Sequence, residues 1–264
     1  SSAATRTHDK THILKHLSSE VKLNDITDKL VCLGVFGPKC RNLISTISNE
    51  DFSNESFKFG SGKFITLGSK KVWAQRLSYV GELGFELYID IEDAKEIYQL
   101  IILEGKNHNL SHCGSHAMDT MRMESGFLHW GHDISPEENQ YEAGLSFTIS
   151  YKKEIDFIGK ESLLKIKNKK TKKKFIMLSL KNSKPGIPLL LHDEPIYLDD
   201  KIIGRTTSGN YSFNYKKNLS FGYIDSSLTD EELKNKTLYI EVAKHKNQAI
   251  HEIKPLKDNK ARLS

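Results

Sequence analysis

The sequence predicts an α+β chain: a mixed helix-and-strand part ending near residue 168, then a small all-β domain over 169–264. Three observations carry that expectation. The first half alternates short apolar runs with segments of helical period, which reads as strands interleaved with helices. A lysine-rich run, KIKNKKTKKK from Lys165 to Lys174, marks a change of character. Beyond it come only short strand-like runs separated by turn residues.

Taken in order, Thr7 to Leu17 has Ile13, Leu14 and Leu17 at helical spacing. Its His8, His12 and His16 fall on one face, but no carboxylate or cysteine cluster joins them, so a solvated face is expected rather than a metal site. Leu30 to Val35 predicts a buried strand, with a turn at Phe36 and Gly37 and Pro38 in the first turn of a helix. This strand–Gly–helix pattern has neither GxGxxG nor GK[ST], so it reads as a simple turn rather than a phosphate cradle. Strands follow at 64–67, 72–77 and 84–89, then helices over 91–104 and 115–126. The second half predicts strands at 175–180, 195–198, 201–204, 220–224 and 237–242, with Asp199-Asp200 as a hairpin turn.

Composition excludes several classes. With 28% charged residues and no apolar run near the roughly 20 residues that span a bilayer, no membrane partner is expected. The net charge of +5 sits largely in the lysine run, which reads as a solvated interdomain linker, and no nucleic-acid partner is expected. Cys32, Cys40 and Cys113 form no CxxC pair and suit free thiols in a reducing compartment, the cytoplasm or a mitochondrial matrix. The absent initiator Met reads as a fragment of a longer chain.

Two segments concentrate candidate chemistry. RLSYVGELGFELY, Arg76 to Tyr88, places Glu82 and Glu86 four residues apart, and alternation points Glu86 away from Phe85 and Leu87. A carboxylate on a pocket-lining strand can accept two parallel N–H bonds from a planar donor such as a pterin edge. On composition alone Glu86 is equally an exposed strand residue. AMDTMRMESGFLHWGHDI, Ala117 to Ile134, puts Met118, Met121 and Ser125 on one helical face, with Asp119 and Arg122 able to share another. His129 and His132 flank Trp130-Gly131 without a third ligand, so no metal is expected there. In YEAGLSFTI, Glu142 precedes a strand-like run and reads as a carboxylate that bonds backbone N–H groups.

In order and spacing, SYVGELGFELY, MRMESGFLHWGHDI, YEAGLSFTI, DFIGKESL and GRTTSGNYSFNYKKNLSFGYI resemble the folate-binding C-terminal region of dimethylglycine and sarcosine dehydrogenases, with glycine-cleavage aminomethyltransferases as more distant relatives. The resemblance runs from about Leu30 to the end. It implies a cloverleaf folate-binding fold, here lacking its first subdomain, closed by a C-terminal β-barrel, with tetrahydrofolate in the central hole. It implies that Tyr79 and Glu86 hold the pterin, and that Arg122 steers the folate tail or holds a pocket carboxylate. The implied reaction is capture of an aminomethyl group or an N-methyl-amine-derived iminium by tetrahydrofolate, giving 5,10-methylenetetrahydrofolate. The family's catalytic aspartate falls upstream of the first alignable residue, and Asp9 and Asp25 do not replace it. FAD is expected only on a missing or separate domain, so a flavoprotein partner is implied. The alternatives are a non-catalytic interaction or regulatory module on the same fold, or a folate-dependent demethylase.

Overall fold

The computed structural model describes residues 3–258 and 263. A first helix, α1 (Arg6–His16), buries none of its residues, and a 3-10 turn at Thr27–Lys29 leads into the sheet. Strands β1 (Leu30–Phe36), β2 (Gly62–Leu67), β3 (Lys70–Gln75) and β4 (Gly84–Asp90) form one antiparallel sheet in the order β1-β4-β3-β2. Helices α2 (Cys40–Thr46) and α3 (Ala94–Gly105) contribute Leu43, Ile44, Ile97 and Ile101 to the core on one side of that sheet.

The sheet is one-sided because its strands alternate. Phe85, Leu87 and Ile89 of β4 are fully buried, as are Val72 and Ala74 of β3 and Ile65 and Leu67 of β2. Phe85 is the hub, meeting Phe52 edge-on at 5.6 Å and Phe57 at 5.4 Å between ring centroids. Residues between these point the other way, onto a face that the core does not cover.

Helix α4 (Ser115–Glu124) joins the sheet region to a closed six-stranded antiparallel barrel in the order β10-β5-β8-β7-β6-β9. Its strands are β5 (Lys173–Leu180), β6 (Pro195–Leu198), β7 (Lys201–Ser212), β8 (Lys217–Asp225), β9 (Leu238–Val242) and β10 (His245–Glu252). Ile176, Leu178, Ile196, Ile224, Leu238 and Ile240 fill it. Among the described residues, no helix is long and apolar enough to cross a membrane.

Several expectations are corrected. Pro38 precedes the helix, whose N-cap is Lys39. The third helix starts at Ala94 because Asp90 to Asp93 form a turn, Asp93 donating its N–H to Asp90 O at 3.0 Å. The run after Glu142 is not a strand: Gly144 sits at φ +70°, outside extended backbone, and Ser146–Thr148 is a 3-10 turn. The lysine run is only partly a linker, since its first residues end α5 (Lys160–Ile166) and its last open β5. There Lys173 pairs with Glu138, and Lys174 with Asp230 at 3.3 Å. The strand expected at 201–204 continues to Ser212, because its polar half packs against α4 rather than ending in solvent. The sequence reading also missed β10 and the short helix α6 (Asp230–Asn235), which carries a complete Thr229/Glu232 capping box.

Replacing Phe85 by Ala should cost about 3–5 kcal/mol, since it removes the ring on which Phe52 and Phe57 both pack. Urea denaturation of wild type and variant checks this, and a loss under about 1 kcal/mol would place the core elsewhere.

Candidate functional site

Strand alternation puts Glu86 and Tyr88 on the open face of the sheet, opposite Gly34 and Cys32 of β1 and Gln75 and Trp73 of β3. The Tyr88 hydroxyl donates to Glu86 Oε2 at 2.9 Å. Burial and this bond to a carboxylate push the Tyr88 phenol well above its usual range, so it stays a donor that orients Glu86. Burial, with the Glu86 charge behind it, likewise raises the Cys32 thiol and keeps it protonated. Gly34 and Gly84 leave room for Phe36, whose ring would stand 2.3 Å and 2.1 Å from Cβ atoms there. A cavity of about 920 Å³ lies on this face, between Cys32, Trp73, Gln75 and Tyr88 on one side and Arg6, Lys10 and Ile13 of α1 on the other. Arg6 closes that segment on itself, bonding Asp25 at 2.8 Å and Asp28 at 3.0 and 2.9 Å.

A second cavity, about 450 Å³, opens beside α4 and the barrel, and Tyr79, Asp119, Arg122, His129 and His132 line it. Tyr79 and Arg122 thus share a pocket. Glu86 lines neither this cavity nor the one under α1; there Tyr88, which holds it, is the lining residue.

Arg122 is 1% exposed and spends its donor fork on protein acceptors. Nε donates to Asp119 Oδ1 at 2.8 Å, Nη1 to Phe127 O at 3.0 Å and Asp133 Oδ2 at 2.5 Å, and Nη2 to Ser208 Oγ at 2.7 Å. Asp133 in turn accepts from His129 N at 2.9 Å, Thr207 Oγ1 at 2.6 Å and Ser208 Oγ at 2.8 Å. Thr207 and Ser208 are sequence neighbours and would face opposite ways in a regular strand. A β-bulge between Thr206 and Ser208 lets both hydroxyls reach one carboxylate oxygen. Arg122 thus holds two carboxylates, those of Asp119 and Asp133.

The other motif residues converge on the same junction. Glu124, also 1% exposed, accepts from Ser212 Oγ at 2.6 Å and Asn214 Nδ2 at 2.9 Å. Gly81, at φ +69°, lies where a Cβ would stand 2.0 Å from Ser125 Oγ, so SYVGE and RMESG can meet only through glycine. Tyr79 donates to Leu128 O at 3.3 Å, stacks on Phe127 at 6.3 Å, and burial raises its phenol. His129 and His132 stack face to face, 4.5 Å apart and 2° from parallel, and burial, with His132 and Arg122 nearby, holds the His129 imidazole below its usual range. Glu82 is engaged by Lys257, and Glu142 accepts from the Asn139 side chain at 2.9 Å and its backbone N–H at 3.3 Å. Among the described residues, no group of three or more His, Cys, Asp or Glu could hold a metal ion.

With this geometry in hand, comparison with known proteins is specific. A family model described as the GCVT N-terminal domain matches residues 1–153, and one described as the glycine cleavage T-protein C-terminal barrel domain matches 173–256. The chain belongs to the glycine cleavage T-protein family. It is 36% identical over 211 residues to human mitochondrial dimethylglycine dehydrogenase, covering 80% of this chain and 24% of that protein. It is 32% identical over 228 residues to the aminomethyltransferase of Listeria monocytogenes, covering 86% of this chain and 60% of that one. The chain therefore spans about a quarter of the dehydrogenase's length. The glycine cleavage aminomethyltransferase T structure from Bartonella henselae superposes with a TM-score of 0.79 at 20% identity, covering 97% of this chain and 67% of that one. The fold is that of an aminomethyltransferase with its C-terminal barrel.

Within this T-protein framework, sequence reasoning missed Asp133, Ser208 and Thr207 as partners of Arg122. Their segments, HWGHDI and GRTTSG, were visible, but only the bulge brings them together. It also missed Trp73 and Cys32, which strand alternation would have placed beside Glu86.

Removing one side of the Arg122–Asp133 pair should cost about 3–5 kcal/mol, because it strands a buried charge. Arg122→Met is expected to lose that much in urea denaturation, and Arg122→Met with Asp133→Leu to recover a large part; equal losses would mean the pair carries no special weight. His129 and His251 both have folded-state pKa values lowered by burial, so the unfolded chain binds more protons near their ordinary value of about 6.5. Stability should therefore rise with pH through that region and fall as pH drops below it. Urea midpoints at pH 5.5, 6.5 and 7.5 check the sign, and replacing both histidines by Gln should flatten the slope.

Proposed function

We propose that this chain is the tetrahydrofolate-binding part of a one-carbon transferase in N-methyl amine or glycine catabolism, within an enzyme like dimethylglycine or sarcosine dehydrogenase. The observation that carries the reading is Glu86: a half-buried carboxylate on the open sheet face, oriented by Tyr88, which itself lines a cavity of about 920 Å³. Ligand cavities of roughly 300–1,000 Å³, mostly apolar with a few placed polar groups, are what a heterocycle of this size requires. The donor set fits a pterin, whose ring N–H and amino group lie side by side and match a carboxylate.

When bound, tetrahydrofolate supplies the N5 and N10 amines that take up the one-carbon unit as 5,10-methylenetetrahydrofolate. In this reading Glu86 accepts the pterin's paired N–H groups, and Tyr88 fixes the carboxylate so that little orientational freedom is lost on binding. Tyr79 forms wall on the barrel side. Arg122 acts by positioning: it locks α4, the His129–Asp133 loop and β7 into one surface. No residue of this chain is assigned the proton transfer that the chemistry requires. Oxidation of an amine to an iminium is assigned to an FAD-bearing domain or partner. We place the division between the folate-binding part and the barrel near residue 168, and the protein in a reducing compartment, the mitochondrial matrix or the cytoplasm.

Calorimetric titration with 5-formyltetrahydrofolate tests the reading. Wild type should bind, and Glu86→Gln should bind roughly ten- to hundred-fold more weakly, since hydrogen bonds to a charged group are worth about 1.5–3 kcal/mol. Wild type that fails to bind, or a variant that binds equally well, would overturn it.

A further inference from the structure

The folate reading leaves one chemical need unmet: the N–H protons that tetrahydrofolate gives up must go to a base. The loop after α4 offers one. Gly131, at φ +90°, turns the chain so that His132 returns over His129, and the rings stack 4.5 Å apart and 2° from parallel. Three main-chain N–H groups close this turn on His129 O, from His132 at 3.2 Å, Asp133 at 2.9 Å and Ile134 at 3.3 Å. Asp133 pins it again by accepting from His129 N at 2.9 Å, and Arg122 holds Asp133. The stack thus inherits its geometry from the buried ion pair.

Nothing else uses the two rings. Among the described residues, neither imidazole takes part in a hydrogen bond, although both line the cavity that Tyr79 and Arg122 share. Both residues are exposed, so a ligand in that cavity can reach them. Parallel rings aim their lone pairs along separate planes rather than at one point, which suits proton exchange and not metal chelation. Two imidazolium charges at this spacing repel, so a second proton on the pair is disfavoured.

The surroundings lean the same way. Partial burial lowers the His129 pKa first, then His132 and Arg122, against a smaller upward pull from Asp119 and Asp133. Asp119 is already spent on Arg122 Nε and on Asn210 Nδ2 at 3.2 Å. Of the other titratable groups on this cavity, Tyr79 stays a neutral phenol, His192 meets Asp193 at 2.9 Å, and His116 stands on α4. His132 also borders a second cavity of about 700 Å³. There Glu138 pairs with Lys173 and Arg205 with Asp193 at 3.2 Å, beside Glu137, Lys172 and Asp225.

Resting on the folate reading above, we propose that His129 is the base that takes the folate N10 proton. His132, stacked on it, is a positioning residue that keeps His129 free of a proton beforehand. The iminium carbon receives the N5 lone pair while the C=N π pair moves onto the amine nitrogen. The amine then leaves with that pair and the N5 proton as N10 closes the second C–N bond. One proton remains, that of N10, and a ring nitrogen of His129 accepts it. A neutral imidazole suits this task, because general bases work best with a pKa near the operating pH.

The test follows the histidine Hε1 signals of the full chain by NMR across pH, with 5-formyltetrahydrofolate, which keeps N10–H, as the probe. His129 should titrate below its ordinary value of about 6.5, and His132→Gln should bring it back up. Saturating ligand should move the His129 signal and lower its midpoint further, since N10–H bonds the neutral ring. Calorimetry in two buffers of different ionisation enthalpy should show proton release on binding at mildly acidic pH. His129→Gln should abolish that release while still binding ligand, with an unchanged melting temperature, because the main-chain N–H to Asp133 is kept. Ligand binding that leaves the His129 midpoint unmoved, or a midpoint indifferent to His132→Gln, would overturn the assignment and spare the folate reading. Failure of wild type to bind would overturn both.

Discussion

Arg122 and Asp133 form an ion pair that neither water nor salt reaches, with side-chain exposures of 1% and 0%. Charges so deeply placed are tolerated only if nearly every donor and acceptor is satisfied. That requirement explains the surroundings: a main-chain carbonyl, a second aspartate, two hydroxyls and a backbone N–H are all drawn in. The partners come from α4, the loop after it and β7. Met123, Leu219 and Phe221 supply a small apolar cluster at the same junction, and the guanidinium lies 5.2 Å from the Phe221 ring centroid. Glu124, reaching Ser212 and Asn214, repeats the device two residues further along the helix. Polar bonds of fixed geometry and this small apolar cluster together tie the barrel to α4 and the loop after it.

The four-stranded sheet obeys a different constraint. One face is committed to α2, α3 and the phenylalanine cluster around Phe85. The other keeps Tyr88, Trp73 and Phe64 on a large cavity under the N-terminal segment, with Glu86 held by Tyr88. A single register decides both faces at once: slipping β4 by one residue would bury Glu86 and expose Phe85. Core packing is thus what holds the candidate ligand face in position, and the two cannot drift independently.

Much of this was legible in the chain. The alternation around Glu86, the glycine turns and the change of character after the lysine run follow from periods of 2 and 3.6 residues and from residues that tolerate special backbone angles. The ordered motifs narrowed the family, and Tyr79, Glu86 and Arg122 could be named from them. Glu86 and Arg122 fall on the strand and the helix expected for them, and Tyr79 in the loop between β3 and β4. The resemblance implied one ligand for Tyr79 and Glu86; the structure places Tyr79 with Arg122 in the cavity beside the barrel and Glu86 on the open sheet face.

The missing information is of one kind. Local period and turn chemistry act over a few residues, so the sequence by itself determined most of the strands, the longer helices and the side of the sheet on which Glu86 stands. The contacts of Arg122 with Ser208, of Glu124 with Ser212 and of Gly81 with Ser125 join positions 44 to 88 residues apart. Two of the three depend on how β7 presents its polar half, and the pairing of Thr207 and Ser208 on Asp133 depends on one extra residue in that strand. Only the tertiary structure decided these, because a bulge and a register are properties of two strands together, set by which pairing buries the most apolar surface with every buried polar group satisfied.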